Sequence, residues 1–129
     1  MRHTTFGRHT GLRVSEYALG TANFGTTWPT GAERGQALRM FERFAEAGGN
    51  FVDTADVYQF GESERLLGEF LGAEGDHFVL ATKFTQGAAA SPKVTATGNS
   101  RKTMVRALEG SLRRLEDGPP RPVLGPLAR

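Results

Sequence analysis

The chain of 129 residues contains no cysteine. That excludes a disulfide, a thiolate zinc site and a cysteine nucleophile, and it suits a reducing, cytoplasmic setting. Lysine is scarce, three against thirteen arginines, and 16 basic side chains stand against 14 acidic ones. A formal charge of +2, spread along the chain, gives no footprint for nucleic acid. No apolar run approaches the ~20 residues of a membrane span, and Met1-Arg2-His3-Thr4-Thr5 lacks the apolar stretch of a secretory signal. Gly20 to Gly25 is not the G-x-G-x-x-G of a dinucleotide fold, and no Gly-Lys-Ser/Thr follows to make a P-loop. His3, His9 and His77 have no ligand-like spacing, and Glu62 and Glu64 open a helix, where acids complement the dipole, so no metal is expected. What remains is one cytoplasmic domain with neither nucleic acid nor membrane as partner.

The residues present alternate in type along the chain. Thr4-Phe6 and Leu12-Val14 flank the turn-like Gly7-Gly11 and predict a hairpin, and Tyr17-Gly20 predicts a short strand. Thr30, with Glu33 three residues on, reads as a capping box for a first helix carrying Leu38, Phe41, Phe44 and Ala45 on one face. Gly48-Gly49 supplies a left-handed end. Asn50-Thr54 predicts a second strand, Ser63-Phe70 a second helix, and His77-Thr82 a third strand whose apolar middle suits a parallel sheet covered on both faces. Ser100 caps a third helix with Met104, Leu108, Leu112 and Leu115 as its apolar stripe. A hairpin followed by three strand-helix units predicts an α/β chain with parallel strands.

Three polar side chains gain interest from position. Asp53 and Lys83 fall at the carboxyl ends of the second and third strands, and Tyr58 lies in the loop five residues after Asp53. Reactive groups of parallel α/β folds collect at that end of the sheet. A lysine beside a phenol favours phenolate, and a carboxylate holds the lysine. Such a trio can give a proton to a carbonyl oxygen as it gains charge. The competing reading is an ordinary structural ion pair beside a packed loop tyrosine.

Several linked stretches then resemble the aldo-keto reductase family. They are Phe51-Val52-Asp53-Thr54-Ala55-Asp56-Val57-Tyr58 with Gly61-Glu62-Ser63-Glu64-Arg65-Leu66-Leu67-Gly68, Leu19 to Gly25, Phe78 to Lys83, and Ser100 to Leu115. The likeness covers residues 1–115. It implies the N-terminal portion of a (β/α)8 TIM barrel, truncated after the third strand-helix unit, with the hairpin plugging the barrel bottom. It also implies an oxidoreductase that reduces a small-molecule aldehyde or ketone with NADPH. Tyr58 would be the general acid, Lys83 its pKa modifier and Asp53 the partner of Lys83. Gly20, Thr21 and Ala22, with Asp53, would line the nicotinamide, and Asn23 lies beside them. Trp28 and Phe24 are candidates for the substrate wall, with core packing as the alternative for each.

The family's fourth catalytic residue, a histidine ending a fourth strand, has no counterpart. Glu116 to Arg129 holds four of the six prolines and predicts an irregular tail. Back-translated with permitted codons and read one base later, these fourteen residues accommodate RTDRLDLYWVHWP, which supplies that strand and histidine. A frameshift is therefore expected at or just before codon 116, and the gene's nucleotides test it. The expectation is a fragment inactive by itself. The alternative is a short, non-catalytic regulatory or oligomerising half-barrel.

Overall fold

The computed structural model describes residues 1–116. An antiparallel hairpin comes first, β1 (His3–Thr5) against β2 (Arg13–Ser15), with Thr4 opposite Val14. Its strands sit one residue away from their expected bounds, because Ser15 is tied to the start of the main sheet. The Ser15 N–H donates to Asn50 Oδ1 at 2.7 Å, and Asn50 Nδ2 donates to the Arg13 carbonyl at 3.1 Å. The Phe6 ring meets Phe51 edge-on at 5.2 Å. The hairpin is thereby docked at the amino end of the sheet.

The sheet consists of β3 (Ala18–Gly20), β4 (Phe51–Asp53) and β5 (Val79–Ala81), all parallel and in that order. Gly20, Asp53 and Ala81 share one register line at its carboxyl end. Helices α1 (Arg34–Glu46), α2 (Glu62–Leu71) and α3 (Arg101–Glu116) follow the three strands in turn. This is the expected α/β order, hairpin and then three strand-helix units. Val52 on the central strand, Leu67 on α2 and Phe24 in the β3–α1 loop are fully buried, and Phe41 and Leu115 join them in one core. Burying each such side chain is worth about 1.5–3 kcal/mol.

Four local expectations change. The cap of α1 is Glu33 rather than Thr30, and the Glu33 N–H donates to Gln36 Oε1 at 3.3 Å, so the reciprocal box lies three residues later. The Thr30 carbonyl is occupied by Gln59 instead. On α3 the buried residues are Thr103, Ser111 and Leu115, while Met104, Leu108 and Leu112 are 45%, 53% and 47% exposed. Strand β5 is half-buried along its length and, among the described residues, pairs only with β4. Gly48 does end α1 in the left-handed region, at φ +89°, with its N–H on the Ala45 carbonyl. Glu116, placed in the tail by sequence, is the last residue of α3. The remainder of that tail lies outside the described residues.

Candidate active site

Asp53 ends β4, and two residues past β5 the chain reaches Lys83. The loop after β4 continues the ladder beyond the sheet: the Thr54 N–H donates to the Ala81 carbonyl at 2.8 Å and the Asp56 N–H to the Lys83 carbonyl at 3.1 Å. This pairing keeps the two strand ends side by side. Lys83 Nζ then donates to Asp53 Oδ2 at 2.6 Å, to the Thr54 carbonyl at 3.0 Å and to the Tyr58 hydroxyl at 3.4 Å. The ammonium also stands 5.1 Å from the Tyr58 ring centroid. All three residues expected to act together are therefore in contact around one nitrogen.

The electrostatics keep that nitrogen charged. Burial by itself would lower the Lys83 pKa, but the hydrogen bonds to Asp53 and Tyr58 and the Asp53 charge outweigh it, and the pKa is raised above 10.5. Half of the Lys83 side chain faces solvent, and Asp53 is 36% exposed, so a second molecule can reach the trio. Physically, a fixed cation beside a phenol is an arrangement for handing the phenolic proton to an acceptor that becomes negative.

Gly20 lies beside Asp53 at the sheet end, and a Cβ added there would meet nothing within 4 Å. That open surface fits a flat group laid over the strand end. Thr21 differs. It is fully buried, its hydroxyl donates to the Asp53 carbonyl at 3.0 Å, and the Ser63 hydroxyl donates to its carbonyl at 2.9 Å. The Ala22 carbonyl accepts from Gln59 at 3.1 Å, and Asn23 is exposed. Of the two candidate wall residues, Phe24 is fully buried in the core against Phe70. Trp28 instead stands edge-on to Tyr58 at 6.2 Å and to Phe60 at 6.0 Å.

Beneath this site, Glu64 proves more than the helix-opening acid read from the sequence, and Gln59 was not singled out there. Glu64 is fully buried, accepts from Arg114 Nε at 2.7 Å and from the Thr82 hydroxyl at 2.7 Å, and so joins α2, α3 and the end of β5. Gln59 is also fully buried. Neither carries a local pattern that announces its partners. No helix among the described residues is long and apolar enough to cross a membrane.

The family model described as Aldo/keto reductase family matches residues 16–118. A norsolorinic acid reductase of Aspergillus flavus is 34% identical, over 88% of this chain and 32% of its own. An NADP(+) aryl-alcohol dehydrogenase of Phanerodontia chrysosporium is 37% identical, over 88% of this chain and 33% of its own. Among solved structures, an aldo-keto reductase from Pseudomonas aeruginosa superposes with a TM-score of 0.73 at 33% identity, covering 88% of this chain and 42% of that one. The holo form of one from Bacillus halodurans gives 0.71 at 30% identity, covering 90% and 37%. The chain thus spans about a third of the length of the curated relatives it matches.

Proposed function

Because this chain belongs to the aldo/keto reductase family, we propose that Asp53, Tyr58 and Lys83 are the proton-delivering set of an NADPH-dependent reductase of aldehydes and ketones. The observation that carries the reading is Lys83 Nζ, held at 2.6 Å from Asp53 Oδ2 and 3.4 Å from the Tyr58 hydroxyl. NADPH, when bound, supplies the hydride to the carbonyl carbon. Tyr58 gives its phenolic proton to the carbonyl oxygen, so that C=O becomes CH–OH. Lys83 stabilises the phenolate left behind, and Asp53 holds Lys83 in place. Gly20, Ala22 and Asp53 line the nicotinamide side, with Thr21 supporting that surface from below. The aromatic edges of Trp28, Tyr58 and Phe60 favour a carbonyl attached to an aromatic ring, in keeping with the aryl-alcohol name of one relative.

The three parallel strands among the described residues do not close an eight-stranded barrel, so this chain alone is inactive and holds NADPH weakly. Two measurements test the proposal. In a chimera of residues 1–116 with the remaining length of the Bacillus halodurans relative, Tyr58→Phe lowers the rate of aldehyde reduction about 10²–10⁴-fold. A Tyr58→Phe chimera that keeps its rate sinks the assignment. A fluorescence titration of the 129-residue chain with NADPH shows no tight binding, and tight binding overturns the claim that it acts only as part of a longer barrel.

A further inference from the structure

The turn after Tyr58 is strained. Gln59 and Phe60 both lie in the left-handed region at φ +52°, followed by Gly61 at φ +90°. Three successive positive φ values are costly where two of the residues carry side chains. Those side chains are used. Phe60 meets Trp28, and Gln59, fully buried, turns its amide on the loop between β3 and α1. The backbone N–H of Trp28 donates to Gln59 Oε1 at 2.7 Å, while Gln59 Nε2 donates to the carbonyls of Ala22 at 3.1 Å and Thr30 at 2.9 Å. Glu62 Oε2 accepts from the N–H groups of Thr26 at 2.9 Å and Thr27 at 3.1 Å, and from the Thr27 hydroxyl.

The neck of the loop pairs with itself, Gly25 N–H to the Ala32 carbonyl and Ala32 N–H to the Asn23 carbonyl. Its tip does not. Among the described residues, every hydrogen bond made by residues 26–30 ends on Gln59 or Glu62. The approach is close enough to demand glycine. A Cβ on Gly25 would stand 2.7 Å from the Glu62 carboxylate, and one on Gly31 would stand 1.9 Å from the Gly25 carbonyl oxygen and 3.1 Å from Gln59 Nε2.

We infer that Gln59 and Glu62 are positioning residues of the Tyr58 site: from the strained turn they clamp the loop tip and thereby set where the Trp28 indole stands against the Tyr58 ring. This rests on the reading of Tyr58 as the proton donor and adds to it the determinant of the space in front of the hydroxyl. Neither residue touches the reacting atoms.

Trp28 is the sole tryptophan, so indole emission reports the loop tip alone. In the 129-residue chain, Gln59→Met keeps side-chain length and removes the amide. It shifts Trp28 emission to the red and raises acrylamide quenching roughly twofold or more as the tip opens locally, while the far-UV circular dichroism stays that of the parent. Gln59→Gly, which relieves the backbone strain, gives the same optical change. A merely structural role predicts a lower melting temperature with Trp28 emission and quenching unchanged in the folded state, and that result overturns the clamp. Should both Gln59 variants lose their circular dichroism, Glu62→Ala decides from the half-exposed side of the turn. Increased Trp28 quenching there supports the clamp, and unchanged quenching overturns it. None of these readings needs turnover, so failure here is distinct from failure of the Tyr58 assignment, which the chimera tests.

Discussion

Two carboxylates a few residues apart respond to acid in opposite directions. Asp56 is 3% exposed, and its Oδ1 has no hydrogen-bond partner among the described residues. Burial, and then the charge of Glu64, raise its pKa above the ordinary 3.8, against the opposing Arg114 charge and the Val57 N–H. A raised folded value means that ionisation opposes folding. The cost is absent below pH 3.8 and complete above the folded pKa. Asp56→Asn is therefore expected to raise the melting temperature at neutral pH, an advantage that disappears in thermal melts taken below that range. For Glu62, burial alone would raise the pKa, but the Thr27 hydroxyl and the Thr26 and Thr27 N–H groups win, and it falls below 4.5. Its stabilisation is full above 4.5 and is lost as pH drops through the lower folded value. Trp28 emission should shift to the red in that same acid window. At this scale Asp53, Tyr58 and Lys83 were legible in the sequence, because strand ends show where side chains converge. Gln59 was not, since its partners lie 29 to 37 residues away and no local spacing marks them.

The seam between α2 and α3 shows how elements constrain one another. A Cβ on Gly68 of α2 would stand 2.5 Å from the Leu115 carbonyl oxygen on α3. Helix propensity alone favours Gly68→Ala by about 1 kcal/mol, but overpacking costs about 1–3 kcal/mol. Because the obstacle is backbone, the steric effect should win, and urea unfolding should show a net loss. The same seam holds Glu64 and Arg114 at 2.7 Å. Arg114→Met strands a buried carboxylate and should cost about 3–5 kcal/mol in the same assay. This close approach also explains why the period of α3 was readable but its covered side only in part. Leu115 is buried as expected, small Thr103 and Ser111 face inward beside it, and Met104, Leu108 and Leu112, the rest of the apolar stripe, stay half exposed. The cap of α1 misled for a similar reason. Thr30 and Glu33 match the box, yet the Thr30 carbonyl is drawn off by Gln59 and the helix starts later.

Taken whole, the described chain leaves a parallel sheet with β5 paired on one side and three half-exposed apolar residues along the adjacent α3. Unpaired strand edges next to apolar surface promote association. Sedimentation velocity on the 129-residue chain should show concentration-dependent self-association, and Leu108→Glu should reduce it without changing the fold. Succession of strands and helices was legible at this scale, since each unit keeps its own hydrophobic period. What covers the outer faces was not, because that depends on neighbours in space. Asp53, Tyr58 and Lys83 all lie on a single strand-helix-strand unit, within residues 53–83. The three contacting residues are therefore encoded as one uninterrupted stretch. A recombination breakpoint outside those codons transmits the trio intact or leaves it behind altogether, so the trio can be exchanged between barrels as a single cassette.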